Sequence, residues 1–391
     1  MHFDPSRSAG LKRLSDFLPK AGGAYAARRN HDLPGHPHVS GLSPYVRHRL
    51  VSEDEVVRAV LGRFARSTAE KFLQEVYWRT YWKGWMERRP ETWVQYRADV
   101  RHGLNRVQTE SGLRREWEAA CRGETGIDAF DHWARQLVET GYLHNHARMW
   151  FASIWVFTLR LPWALGADFF LRHLLDGDPA SNTLGWRWVA GLQTIGKTYL
   201  ARPDNIARYT DGRFRPAGLA TEAIPPGGPP HPPPGPVPVA DQIAPDLRTG
   251  LLLHEEDLSV GWLLDICPAP VATAVLDASA DRSPLSVSGQ VTDFTEGAIA
   301  DSLLRHAPRL GEVGRPEDLG AWARAHRLEQ IVTAHAPQGP ARERIEAWRR
   351  AGVPIRMGLR PSDAAAWPHA AKGFFAFKQE ISGLLDRLRV T

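Results

Sequence analysis

The sequence predicts two structural classes in one chain, an all-helical first half and a parallel, doubly wound α/β second half. Three observations carry this. Before residue 215 strand-like alternation is nearly absent and apolar residues recur at helical spacing. After residue 245 short apolar runs alternate with amphipathic stretches, the order expected of βαβ units. Between them, nine of the 14 residues from Pro225 to Pro238 are proline and three are glycine, a composition that excludes helix and central strand. The expected organisation is a helical domain over 1–215, a Pro/Gly-rich linker over 216–245 and an α/β domain over 246–391. Such a linker is extended and semi-rigid, with a reach of about 40 Å.

The elements follow in order. Ser43-Pro44 reads as a helix start, a capping serine followed by proline at the first helical position. Ser52-Glu53-Asp54-Glu55 forms a capping box ahead of Val56, Val57 and Val60. Residues 69–86 run helical, with Phe72, Leu73 and Val76 at apolar positions. Residues 128–139 and 143–160 make two further helices with Gly141 as the stop between them. In the second half 251–253, 274–276, 331–333 and 353–355 read as short buried strands. The stretches 295–306, 317–327 and 340–351 read as helices, and 374–388 as a final helix. No G-x-G-x-x-G follows the first strand, so the dinucleotide fingerprint is missing.

Composition narrows the function classes. At 43% apolar and 24% charged residues the chain is ordinary for a globular protein. It has no apolar run of 18 and no basic-then-apolar leader, so a membrane location is not expected and a reducing cytoplasm is. Two cysteines, Cys121 and Cys267, cannot build a disulfide framework, a four-thiolate zinc site or an iron–sulfur cluster unaided. Charge is uneven: residues 1–215 carry 32 Lys+Arg against 23 Asp+Glu, and the remainder 17 against 21. A basic half hints at a polyanion partner, though solubility charge gives the same arithmetic. Eleven of the 15 tryptophans also lie before residue 190.

Three segments concentrate chemistry. Glu75, Trp78, Arg79 and Trp82 fall at i, i+3, i+4 and i+7 of one helix, which suits either a surface ion pair beside core tryptophans or a binding face with a carboxylate, a stacking plane and a cation. Asn145, Arg148, Met149 and Ala152 share another face, where an amide and a guanidinium one turn apart fit a polar heteroaromatic ring or a phosphate. His144 and His146 point to different sides, so no shared metal is expected. From Asp176 to Trp188 two acids, an amide and two tryptophans are packed together, without the companion ligands of a calcium loop. Taken singly, each segment suits packing better than binding.

In order along the chain stand Ser40-Gly41-Leu42-Ser43-Pro44-Tyr45, Glu75-x-x-Trp78-Arg79, Thr140-Gly141-Tyr142-x-His144-Asn145-x-x-Arg148-Met149 and Asp176-x-Asp178-x-Ala180-x-Asn182. Together they resemble the FAD-binding helical domain of the DNA photolyase/cryptochrome family, over about residues 10–205. That family places a parallel α/β antenna domain first. Here the order is reversed, so the resemblance implies a circular permutation: an all-helical FAD-binding domain followed by a Rossmann-like, antenna-like α/β domain. A second, antenna chromophore is compatible with this but unidentified.

The resemblance implies roles residue by residue. Tyr25, Ser40, Leu42, Ser43 and Arg79 would line the FAD phosphates and ribose, and a helix start at Ser43 would offer free N–H groups to a pyrophosphate. Asn145, Arg148, Asp176, Asp178 and Asn182 would surround the isoalloxazine and adenine. Within that set Asn182 faces flavin N5, and Asp178 and Arg148 pair at the polar edge. Glu75, Trp78, Asn145 and Met149 match the side that meets a flipped pyrimidine dimer, with Trp188 a second stacking wall. Trp163 and Trp186 match two members of a tryptophan chain that photoreduces the flavin; Trp82, Trp85 and Trp93 are candidates for the third. Trp133, Trp150 and Trp155 read as core. No metal is implied.

The chain departs from the family pattern at Val39, where a threonine is usual, and after Trp188, where the family's Pro-Tyr-Phe-Arg and Asn-Pro stretch is absent. The implied function is light-driven repair of cyclobutane pyrimidine dimers in UV-damaged single- or double-stranded DNA by a lyase, expected to be monomeric. The alternatives are a cryptochrome-like flavin photoreceptor without repair activity and a redox flavoprotein with no light role.

Overall fold

The computed structural model describes residues 2–390; Met1 and Thr391, the outer ends of the expected domains, lie outside them. Helices occupy the chain from Arg7 to Tyr209 and strands appear only after Thr249. The capping box at Ser52 forms as the sequence predicts, with the Ser52 side chain accepting from the Glu55 N–H and the Glu55 carboxylate accepting from the Ser52 N–H. The long helix Arg66–Glu87 runs through the middle of this half. Helix Asp128–Thr140 ends where Gly141 takes the left-handed conformation at φ 66°, as a helix stop requires.

Two local expectations are corrected. The capping serine is displaced: Leu42 occupies the cap, and Ser43 opens a helix of only five residues, Ser43–Arg47. The helix expected over 143–160 is Asn145–Ser153 continued by a π-helical turn, Ile154–Thr158, before Arg160 turns the chain at φ 53°. Trp133, Trp150 and Trp155 are fully buried, which suits their reading as core.

The second half builds one five-stranded parallel sheet from β1 (Thr249–His254), β2 (Ala272–Leu276), β3 (Glu312–Gly314), β4 (Gln330–Ala334) and β5 (Ile355–Gly358). The strand order is β3-β2-β1-β4-β5. Register is continuous across the centre: Leu252 lies between Ala274 of β2 and Thr333 of β4. Every residue of β1, β2 and β4 is buried, the polar Thr249, His254, Thr273, Gln330 and Thr333 along with the apolar centres of the strands. Helices Gly289–His306, Leu319–Ala325, Pro340–Arg350 and Phe374–Val390 accompany the sheet.

Residues 225–238 form neither helix nor strand. This stretch is tied to the end of the Arg66–Glu87 helix: Arg88 and Arg89 donate to the carbonyls of Gly235 and Pro232, and the Gly235 N–H returns a bond to Arg88. The sheet meets the helical half through the carboxyl ends of β1 and β4. Arg47 forks onto Glu256 at 2.6 and 2.7 Å, one Arg49 nitrogen, Nη2, donates to both carboxylate oxygens of Asp363 at 2.8 Å, and the His48 carbonyl accepts from the Leu258 N–H. His335, just past β4, meets Glu87 at 2.8 Å. In open α/β sheets the crevice at the switch of strand order, here between β1 and β4, commonly receives a ligand. In this protein Lys83 and Glu87 of the helical half face the residues at that edge.

Candidate functional site

The four chemistry-bearing segments converge. Arg79 connects three of them: it donates to Glu53 at 3.0 Å and to the Arg47 carbonyl at 3.0 Å, at the end of the Ser43–Arg47 helix, and lies 3.6 Å from Asp178. Arg148 ties the third segment to the fourth, donating to Asp176 at 2.7 Å while its Nε holds the Leu143 carbonyl at 3.0 Å. These contacts join residues from positions 47, 79, 148 and 176–178 into one cluster, although no two of the segments are adjacent in sequence.

Local structure explains the placements. Asp178 caps helix Pro179–Val189: its carboxylate accepts from the Ser181 N–H at 2.7 Å, and Pro179 takes the first helical position. Asn182, one turn on, donates to the Ala167 carbonyl at 2.8 Å. His144 caps helix Asn145–Ser153 by accepting from the His146 N–H at 3.1 Å, which leaves Asn145 exposed at its start. Ser40 accepts from the Leu42 N–H, Gly41 is left-handed at φ 60°, and Ser43 is exposed.

The charges are strongly coupled. Burial alone would raise the Asp178 carboxyl, but Arg79, Lys83 and Arg47 hold it far below the ordinary carboxylate range. Glu53 behaves alike: burial opposes ionisation, and Arg49, Arg79 and Lys83 bring it down to about 2. Lys83 is 1% exposed and sits 3.6 Å from Asp178 without a hydrogen bond. Burial, reinforced by Arg79, lowers its ammonium to about 8. Arg148 is raised, its burial outweighed by Asp176. The second oxygen of Asp176, Oδ1, is buried with no partner. An acceptor left open beside a fixed guanidinium suits a ligand that presents a polar edge with N–H groups.

Several expected groupings come out differently. Arg148 pairs with Asp176, not with Asp178, because Asp178 is already committed to its helix cap and to Arg79 and Lys83. Glu75, Trp78 and Arg79 do not present one face. Glu75 makes an ion pair with Arg29, Arg79 turns to Glu53, and Trp78 stacks on Phe374 with ring centroids 3.6 Å apart and planes 11° from parallel. Trp188 stacks at 5.8 Å on Tyr199, and Met149 is half-buried. Tyr25 is buried edge-on to Phe17 and Phe72. Trp186 is 3% exposed and its Nε1 has no partner; its ring tip fills the space a Cβ at Gly166 would need, so that position accepts only glycine. Gly166 is one turn along the helix that Trp163 begins. Of the three candidates for a further tryptophan, Trp93 is joined to Trp163 by Tyr96, at 5.2 and 5.9 Å. Trp82 leans on Trp78, and Trp85 lies beneath Arg89.

Sequence reasoning passed over Lys83, Arg47, Arg29, Tyr96 and Phe374. Lys83 had a readable signal, a second cation at i+4 from Arg79. Phe374 had none, since its partner lies at the other end of the chain.

Residues 72–213 match the family model described as the FAD binding domain of DNA photolyase. The chain is 35% identical over 190 residues to a deoxyribodipyrimidine photo-lyase of Alkalihalophilus pseudofirmus, covering 48% of this chain and 38% of the relative. It is 31% identical over 206 residues to the enzyme of that name from Escherichia coli, covering 51% and 42%. Among solved structures it is similar to a bacterial class III photolyase from Agrobacterium tumefaciens, at 27% identity and a TM-score of 0.44, over 53% of this chain and 43% of that one. The chain spans about two fifths of the length of these relatives. A FAD-binding domain of the photolyase kind is thus present in the helical half. No helix among the described residues is long and apolar enough to cross a membrane.

Proposed function

We propose that the protein is a FAD-dependent, blue-light-driven lyase that splits cyclobutane pyrimidine dimers in DNA. The supporting observation is the cluster itself: the four segments that resemble a photolyase-type FAD site meet through Arg79–Asp178, Arg79–Arg47 and Arg148–Asp176. Bound FAD supplies the light-excited electron donor for dimer cleavage. Arg148 and Asp176 would hold its polar edge, with the free Asp176 Oδ1 accepting there and the Arg148 cation favouring electron-rich flavin. Asn182, fixed by the Ala167 carbonyl, would face the ring, and Ser40, Leu42, Ser43, Asn145, Arg79 and Asp178 would line the remainder. Trp186 and Trp163 would deliver electrons to it. Glu75, Trp78, Met149 and Trp188 would meet the lesion, and the basic balance of residues 1–215 would track phosphates.

The same reading divides the chain into a FAD-binding domain (1–215), a linker (216–245) and an antenna-like domain (246–391), a permuted order relative to the family. The photoreceptor reading has one specific observation in its favour, the covering of Trp78 by Phe374.

The test is light-driven repair. Protein loaded with reduced FAD is expected to restore dimer-containing single- and double-stranded oligonucleotides under blue light, with affinity that falls steeply as salt rises. Photoreduction without lesion turnover would leave a flavin photoreceptor in place of the enzyme. Trp186→Phe should retain FAD, since packing volume is kept, but slow photoreduction at least tenfold, measured by flavin absorbance under steady illumination. An unchanged rate in both Trp186→Phe and Trp163→Phe would assign these rings to packing alone.

A further inference from the structure

The C-terminal helix, Phe374–Val390, lies along the Arg66–Glu87 helix on the side opposite Arg79 and Lys83. Its apolar stripe of Phe374, Phe377, Ile381, Leu384 and Leu385 is buried. Phe377 rests on Tyr77 and Tyr81, and Arg66–Asp386 and Lys378–Glu70 ion pairs flank the contact. The first turn differs from the rest of the helix. Phe374 reaches past the stripe to lie flat on Trp78, with Tyr81 edge-on to the same phenyl ring at 5.4 Å. A parallel stack at this separation is how a planar ring ligand would sit on an indole. The neighbouring Phe375 is 85% exposed. The turn is entered through Lys372, whose carbonyl accepts from the Tyr81 hydroxyl at 2.9 Å, and Gly373, around which there is open space on the side a Cβ would occupy.

We propose that Phe374 is an internal competitor for the Trp78 ring face, so that a flipped pyrimidine dimer reaches Trp78 only when the first turn of the C-terminal helix lifts. This rests on the reading of Trp78 as a lesion contact. The anchor from Phe377 to Leu385 stays in place while the turn opens at Gly373, because Phe377 rests on Tyr77 and Tyr81, Ile381, Leu384 and Leu385 are buried beyond it, and opening gives up only the 6.0 Å contact between Phe374 and Phe377 on this side. Stacking of a base on an aromatic side chain is comparable to the ring pair it would replace, so ligand and Phe374 compete on near-equal terms.

The experiment compares wild type, Phe374→Leu, Phe374→Ala and Phe375→Ala for affinity toward a dimer-containing single-stranded oligonucleotide. Phe374→Leu keeps apolar volume and guards against loss of folding in the alanine variant. Both Phe374 variants are expected to bind about tenfold tighter, with Phe375→Ala unchanged. In wild type, adding the oligonucleotide should speed amide exchange at residues 374–377 and leave 381–385 protected. Equal or weaker binding by Phe374→Leu, or increased protection at 374–377, overturns the cap. A light-driven repair assay separates the two readings. Repair by wild type that Phe374→Leu does not improve removes the cap and keeps the lyase. Repair only in Phe374→Leu supports both. Neither binding nor repair in any variant removes both.

Discussion

Two faces of one helix, Arg66–Glu87, are covered by opposite chemistries. One carries Arg79, Lys83 and Glu87 into a buried network, where Arg79 and Lys83 meet Glu53, Asp178 and Glu256 and Glu87 is hydrogen-bonded to His335. The other carries Tyr77, Trp78 and Tyr81 under the phenyl rings of the C-terminal helix. An ionic face demands partners at fixed distances, because an unpaired buried charge is costly; an apolar face tolerates sliding and exchange of one ring for another. The difference places rigidity where the residues proposed to bind FAD sit and leaves adaptability on the side where Trp78 lies.

The comparison can be broken most severely at Arg47. Arg47→Ala strands Glu256 in the interior and should cost about 3–5 kcal/mol in urea unfolding, whereas Arg47→Met combined with Glu256→Leu should recover most of that loss. If the double variant is no better than the single, the ionic face is not held by this pair.

A second test uses pH. Burial, with Glu256 and Asp277 close by, pushes the Glu255 carboxyl up to about 8, against the opposing pull of Arg47. The folded protein therefore keeps a proton that the unfolded chain releases near its ordinary carboxylate pKa. Stability from this group is present at low pH and lost as pH rises through about 8, by up to roughly 1.4 kcal/mol per pH unit. Glu255→Gln should flatten that decline between about pH 5 and 8; an identical slope in the variant would place the titration elsewhere. The acid limb runs the other way, since Glu53, Asp178 and Asp257 are held below their ordinary values and lose their contribution on protonation.

The smallest effect belongs to the rim of the apolar face. Arg66→Ala removes an ion pair whose Asp386 partner is largely exposed, and should shift stability by no more than about 1 kcal/mol, less at high salt. A larger loss would mean that the C-terminal helix is held by charge as firmly as the opposite face.

Periodicity made most of the fold readable. The capping box at Ser52, the stop at Gly141 and the buried runs of β1, β2 and β4 all declare themselves in short windows. The edge strand β3 did not, because its residues are largely exposed and it lacks an apolar run. β5 begins at Ile355, beyond the expected start, because Pro354 has no N–H to give a ladder. The site was readable as a set of residue types and much less as a set of pairs. Asp178 before Pro179 carries a helix-cap signature that commits its side chain, which leaves Asp176 as the partner of Arg148. The Trp78–Phe374 stack has no local signature at all.

The proline-rich segment has a further consequence through its two arginine ties. A chain that joins two units makes their association unimolecular, with an effective local concentration set by the length free to move and independent of dilution. Arg88 and Arg89 hold the carbonyls of Gly235 and Pro232 against the helical half, while Asp241 is bonded to Met357 and Ala244 to Gln330 of the sheet, so only the few residues between Gly235 and Asp241 act as a tether. Shortening the free length raises the local concentration of the sheet at its ionic socket. Separation of the halves should therefore be followed by recapture far faster than any encounter between molecules in solution.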